Sequence, residues 1–360
     1  MFNSHHFHEA LFMFKRRIAV AKNGTKKYSG TAEEICKKIT KDCWNGTFFQ
    51  VSKGHFSLFY MRDFGMCVQS LLELGYKKEV EKTLQFALTV YSREKKCSTT
   101  ISKNGEGFDV FHYAPDSLAF LLFSLRIAKA HELVEIYKPF LESELEYYYN
   151  TVVDETGIVQ LGNFSSIKDN ANRSQSCYDS CCIAVVAREA KILKLKTKFT
   201  HNYSKIIKEN FWTGTYFKDT VKTDYPSGDA NVFPYWFGLF YDKEMIRSSI
   251  KSMQKESLDK LFPLKYTNHV PKNFFFALKF LAPNYEGNTI WMHLGLCYLD
   301  VVEAIDKTLA EKYRKQYTKN IEKNKNFLEV FNANGTPYKT LFYYADEGML
   351  WSCKLITVKN

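Results

Sequence analysis

Two kinds of helical periodicity alternate along this chain, and that alternation limits the folds open to it more than any single motif does. Apolar residues recurring every three to four positions, bounded by Gly, Pro, Asn and Ser, predict twelve helices at roughly 32–43, 62–75, 77–92, 116–129, 131–150, 177–195, 200–211, 231–240, 243–256, 289–306, 308–324 and 346–356. The segments 31–43, 77–92, 131–150, 201–211, 243–256 and 308–324 carry charge along one face. Those between them, 64–74, 118–127, 181–186, 232–240, 290–302 and 348–356, are apolar nearly all round. An amphipathic helix keeps one face in water, whereas a helix apolar on every side must be enclosed. Six repeats of the pair therefore predict an inner ring within an outer ring: an all-α (α/α)6 barrel, or six-hairpin toroid. A bundle or a helical solenoid competes, but no fixed repeat length runs through the sequence. Short strands are expected in the long connections at 157–161, 216–221 and 340–344.

A barrel of this kind accommodates all 360 residues as one domain, 1–360, with 1–30 as a docked or partly mobile N-terminal segment. Aromatic residues make up 16% of the chain, enough both to fill a large core and to line a cleft that stacks sugar rings. The formal charge of +11 raises the question of nucleic acid. Its Lys and Arg are spread over helical faces, without a dense basic tract, zinc-finger spacing or P-loop, so no nucleic-acid partner is expected. No run of eighteen apolar residues occurs, so no membrane span is expected either. Nine Cys, an odd number with Cys181 and Cys182 adjacent and no CxxC pair, suit a reducing, cytoplasmic setting better than a disulfide framework. The Asn-x-Ser/Thr triplets at Asn45 and Asn172 are then expected to stay unmodified.

The connections leading into the apolar helices hold the unusual polar residues. Tyr60-Met61-Arg62-Asp63 opens the first and His112 to Ser117, including Asp116, the second. The loop Lys168-Asp169-Asn170-Ala171-Asn172-Arg173 precedes the third, and Gly228-Asp229 the fourth. Tyr285-Glu286-Gly287 through Trp291 leads to the fifth, and Glu329 with Asp346-Glu347 comes before the sixth. In a double ring these six loops meet at one mouth. Helix capping accounts equally well for Asp116, Asp229 and Asp346. It does not account for Arg62 beside Asp63, the string from Tyr285 to Trp291, or Glu329.

Two carboxylates across a pocket can cleave a glycosidic bond, one protonated to donate to the leaving oxygen, the other ionised to take a proton from water. No Ser–His or Cys–His arrangement is comparably ordered, and no cluster has metal-ligand spacing, so neither cofactor nor metal is expected. His5, His6 and His8 read as a mobile trio, and His112, His269 and His293 as packing or substrate contacts.

With these residues in view, the chain resembles the inverting six-hairpin glycosidases, the clan of (α/α)6 barrels that includes glucoamylases, trehalases and processing glucosidases. Ile167 to Arg173 is similar to the Gly-x-Asp-Asn-x-x-Arg loop of the processing-glucosidase branch, which implies that Asp169 is the general acid. Asn326 to Gly335 looks like that branch's base loop and implies that Glu329 activates the water. Arg62-Asp63 resembles the pair that holds sugar hydroxyls before the cleaved bond, and Tyr285 to Trp291 the Tyr-x-x-Gly-x-x-Trp element, with Gly287 one position early. The resemblance implies a carbohydrate substrate, an α-glucoside or oligosaccharide end. It also implies substrate contacts from Tyr60, Arg62, Asp63, Asp116, Asn170, Arg173, Asp229, Tyr285, Glu286, Trp291 and Glu347. The sequence departs where Asp346-Glu347-Gly348-Met349 stands in place of a Trp-Ser element, which makes Glu347 a rival to Glu329. A non-hydrolytic carbohydrate-binding barrel, a lyase and an epimerase are the competing readings.

Overall fold

The computed structural model describes residues 4–269 and 282–357, with side chains from Glu9 onward. Its helices are, in order, α1 (Ser4–Asn23), α2 (Ala32–Cys43), α3 (Met61–Glu73), α4 (Lys77–Glu94), α5 (Pro115–Ile127), α6 (His131–Ile136) and α7 (Lys138–Val152). They continue as α8 (Cys177–Ile192), α9 (Tyr203–Phe211), α10 (Gly228–Trp236), α11 (Lys243–Lys255), α12 (Met292–Glu303), α13 (Lys307–Asn324) and α14 (Ser352–Thr357).

The enclosed helices are those whose sequence left them no wet face. Every residue of α5 from Pro115 to Leu125 is buried, as is α8 from Cys177 to Val186. Packing joins α14 to α3, α3 to α5, α5 to α8, α8 to α10 and α10 to α12. Between α12 and α14 the ring is bridged by a polar contact, Lys354 donating to Asp300 at 2.6 Å, while Trp236 of α10 donates to the same carboxylate at 2.8 Å. The amphipathic helices α2, α4, α9, α11 and α13 pack outside, each on its inner neighbours. One continuous apolar core runs from Tyr28 to Cys353. The architecture is the (α/α)6 toroid.

Local chemistry sets the helix ends. Thr31 and Glu34 form a reciprocal capping box that starts α2. Asp242 and Asp306 cap α11 and α13 through their side chains. Three expectations are revised. The segment 131–150 is two helices, because Pro139, at the start of α7, has no N–H to continue α6. The last inner helix is only Ser352–Thr357, since Gly348 sits at φ 66° and 346–351 is held out of helical form. The N-terminal stretch forms a helix, α1, beyond the expected twelve.

Short strands also fall elsewhere than expected. At 157–161, 216–221 and 340–344 there are single bridges, such as Lys339 with Tyr344. The paired strands are β1 (Phe59–Tyr60), β2 (Thr100–Ile101) and β3 (Gly107–Phe108), one antiparallel sheet, and β4 (Ile290–Trp291) with β5 (Val330–Phe331). β1 and β4 run directly into α3 and α12, so they fix where the mouth residues of those helices stand. All nine cysteines are free and buried. Among the described residues no helix is long and apolar enough to cross a membrane.

Close approach of α3 and α5 depends on Gly65, where an added Cβ would meet the Phe120 Cβ at 2.6 Å. Overpacking of this kind costs about 1–3 kcal/mol. Gly65→Ala is therefore expected to lower the urea midpoint by that amount of stability, and an unchanged midpoint would show that the two helices have slack.

Candidate active site

At the end of the barrel where the six polar loops converge lies a cavity of about 390 Å³. Its described wall includes nine of the thirteen residues expected from the sequence: Tyr60, Arg62, Asp63, Asp169, Asn170, Tyr285, Glu286, Trp291 and Glu329. Asp169 and Glu329, far apart in the chain, thus face one space.

The loop carrying Asp169 is pinned from behind by ions. Lys168, fully buried, lies 3.1 Å from Asp219 and 3.0 Å from Asp229. Arg173 reaches the same two carboxylates at 2.9 and 2.6 Å. Two cations and two anions alternate, and each charge has partners of opposite sign. Burial works against the Asp219 carboxylate, but Lys168 and Arg173 together hold it well below the usual range. This corrects two expectations: Arg173 and Asp229 are not on the cavity wall, because their charges are spent on each other.

In front of that quartet, Arg62 holds Asp169. Its Nη1 and Nη2 donate to the two Asp169 oxygens at 3.1 and 3.0 Å, while Nε donates to Asp116 at 2.5 Å. Asp116 also accepts from Tyr178 at 3.0 Å and is fully buried, so it fixes Arg62 and does not reach the cavity. Burial pushes the Asp116 carboxyl up to about 6, with Arg62 opposing. Neither Asp116 nor Asp229 is a helix cap.

Asn170 turns the other way and donates to Glu286 from its backbone N–H at 2.8 Å and its side-chain amide at 3.0 Å. Burial, reinforced by the charge of Asp169, pushes the Glu286 carboxyl up to about 8. Asp63, in the first turn of α3, accepts from the Trp351 indole at 3.0 Å, and burial lifts it to about 7.

Glu329 is held by donors on both oxygens. Tyr285 donates to one; Tyr343, at 2.6 Å, and the Asp346 backbone N–H, at 2.8 Å, donate to the other. The backbone itself is fixed by Glu329 N–H to Asp346 C=O, 2.9 Å, and by Asp346 accepting from the His55 and Phe56 amides at 2.9 Å each. Burial pushes Glu329 up to about 8, the charge of Asp346 adds to this, and the three donors pull against it. Glu347 points away from the cavity: it pairs with Arg16 and accepts from the Lys26 backbone at 2.7 Å. As a rival to Glu329 it is therefore displaced by position, and it ties the N-terminal segment to the barrel.

Tyr343 and Trp351 are site residues that the sequence pattern does not single out, while His293, expected as a packing or substrate contact, and α1, from the segment expected to dock, both reach the cavity. Trp351 reaches the cavity wall just before α14, at the end of a backbone stretch, 346–351, that is irregular where a helix is expected. His293 borders the cavity, receives the Trp351 ring at 4.6 Å, and burial pushes its pKa down to about 3. His112 donates its backbone N–H to Ser165, and His269 stacks on Tyr225. The side chains of His5, His6 and His8 lie outside the described residues.

No protein-family model and no curated protein matches the chain. Solved structures do. A glycosidase variant in complex with glucose is 12% identical over 99% of this chain and 97% of its own, at a TM-score of 0.63. A rhamnosidase from Klebsiella oxytoca with rhamnose bound is 9% identical over 92% of this chain and 65% of its own, at 0.61. A GH63 mannosylglycerate hydrolase from Thermus thermophilus, in complex with Tris and D-glycerate, is 9% identical over 90% and 98%, at 0.59.

Removing one partner from a buried ion quartet leaves an unpaired charge, at about 3–5 kcal/mol. Lys168→Met is expected to lose stability of that order in chemical denaturation; a loss below about 1 kcal/mol would mean the quartet is not what pins the loop. The chain has the fold of the six-hairpin glycosidases.

Proposed function

We propose that this protein is a glycoside hydrolase that cleaves an α-glucoside or oligosaccharide end with inversion, Asp169 acting as general acid and Glu329 as general base. The observation that carries this reading is that both carboxylates face one aromatic-lined cavity at the barrel mouth. The solved structures of the same fold that hold glucose or rhamnose support a sugar as the substrate.

In this mechanism Glu329 draws a proton from the attacking water. Its hydroxyl and amide donors leave it few orientations and stabilise the form that accepts. Asp169 gives its proton to the leaving oxygen. To do so it must release one branch of the Arg62 fork, and Asp116 keeps Arg62 in place meanwhile. Trp291 and Trp351 offer flat faces for the sugar ring, and Asp63 an acceptor for its hydroxyls.

A second reading for the acid has its own support. Both Asp169 oxygens accept from Arg62, whereas burial and the charge of Asp169 push the neighbouring Glu286 up to about 8, which favours its protonated form. The two are separated by leaving-group dependence. Asp169→Asn is expected to lose about 100- to 10,000-fold in kcat on an alkyl α-glucoside and far less on an activated aryl one. If Glu286→Gln shows that pattern and Asp169→Asn does not, Glu286 is the acid. Proton NMR should show the first product with inverted anomeric configuration, and retained configuration would discard the mechanism. Sugar binding without turnover of any glycoside would place the chain among non-hydrolytic barrels.

Glu329 works ionised, so activity is lost as pH falls through its pKa. Tyr343→Phe removes a donor to the carboxylate and raises that pKa further, moving the acidic limb of kcat/KM to higher pH by about one unit. An unmoved limb would assign it to another group.

A further inference from the structure

The two rings do not account for α1. It lies outside both, yet Glu9, Ala10, Met13 and Phe14 line the cavity together with residues of the inner-ring loops. Two arginines secure it: Arg16 pairs with Glu347, and Arg17 Nε donates to the Thr340 carbonyl at 2.8 Å. Phe14 packs its ring against Phe342, 6.0 Å between centroids.

Of the four wall residues, three are apolar and one is a carboxylate. The Glu9 Oε2 is buried and, among the described residues, has no hydrogen-bond partner. Burying such an oxygen without a hydrogen bond is unfavourable. Burial pushes the Glu9 carboxyl up, with Lys103 opposing. The Tyr60 hydroxyl, itself on the wall, is pushed up by burial and then by the charge of Glu9. Glu9 therefore stands close to the start of α3, where Arg62 and Asp63 are.

The cavity wall has two sources. Asp63, Trp291, His293 and Trp351 stand at the starts of inner helices. α1 reaches the same cavity from outside the rings, so its residues are set apart from those of the helix starts.

We propose that α1 is the wall of the leaving-group subsite and that Glu9 is a specificity-determining residue, accepting hydrogen bonds from a leaving group rich in hydroxyls, a polyol or a second sugar. This rests on the hydrolase reading for its geometry, but its test does not need turnover. An acceptor already stripped of water gains most from a donor on the ligand, and a bare alkyl or aryl leaving group leaves it unpaired.

The experiment uses the full chain in three forms, wild type, Glu9→Ala and Glu9→Gln, with two substrates sharing an α-glucosyl group. One carries glucose as its leaving group, the other p-nitrophenol. The ratio of their kcat/KM values is expected to fall at least about tenfold in Glu9→Ala, mainly through KM, and less in Glu9→Gln, whose amide still pairs with a hydroxyl. A ratio within about twofold of wild type overturns the proposal. A second arm places Glu9→Ala in the Glu329→Gln background and measures binding of an α-linked glucose disaccharide by calorimetry. There the affinity should drop at least about tenfold relative to Glu329→Gln alone. Equal affinity, or no binding by either protein, overturns the assignment. Binding that depends on Glu9 in a protein whose wild type turns over no glycoside would leave Glu9 in place and remove the hydrolase reading instead. Circular dichroism confirms that each variant is folded.

Discussion

A helix that is apolar on every face can meet water only at its ends. Six such helices set side by side must send their polar residues to the two rims of the ring, and in this chain the rim where α3, α5, α8, α10 and α12 begin receives nearly all of them. The hydrophobic requirement that encloses the inner ring is thus also what gathers Arg62, Asp169, Glu286 and Glu329 around one cavity. No attraction among those residues is needed to bring them together; the enclosure is enough, and their mutual repulsion is what the surrounding contacts then have to manage.

That management is hierarchical. The deepest layer, Lys168 and Arg173 with Asp219 and Asp229, pairs charges completely and meets no ligand. The next layer, Arg62 between Asp116 and Asp169, spends one branch of the guanidinium on a buried anchor and turns the fork toward the cavity. The last layer, Glu286 and Glu329, has no cation at all among the described contacts; both rely on amides or hydroxyls, and both are pushed up to about 8. Pairing weakens step by step from behind the loops to the cavity surface, so the groups most free to exchange a proton are those that touch the space where a substrate would sit.

Much of this was legible from residue order. The alternation of wet-faced and enclosed helices specified the double ring, and the loops before the enclosed helices contained the cavity carboxylates. Depth within the mouth was not legible. Asp116 and Asp63 stand in equivalent first turns of neighbouring helices, yet one is wholly enclosed and the other faces the cavity, because Arg62 leans over the first and not the second. Arg173 and Asp229 look as exposed in sequence as Asn170 does, and only the packing of the 165–173 loop against α10 shows that they neutralise each other. Trp351 was hidden because an apolar stretch reads as helix, whereas Gly348 at φ 66° and the amides held by Asp346 keep the backbone irregular up to it. That 1–30 docks was expected, but not where, because the mixture of Phe, Leu and Arg in α1 has no period that names a partner.

Two like groups become an acid and a base only where their surroundings differ, and the two carboxyls pushed up to about 8 here differ in what they touch. Glu329 accepts hydrogen bonds on both oxygens, two of them from phenols that burial pushes up and so keeps as donors. Glu286 sits beside the anion of Asp169, which makes a second negative charge there costly. Glu286 accepts from the backbone and side-chain amides of Asn170, and Glu329 stands beside the charge of Asp346, so each carboxyl has both donors and a neighbouring anion. What distinguishes the two sides is the partner each offers: the Arg62 fork on the side of the Asp169 loop, and the hydroxyls of Tyr285 and Tyr343 on the side of Glu329.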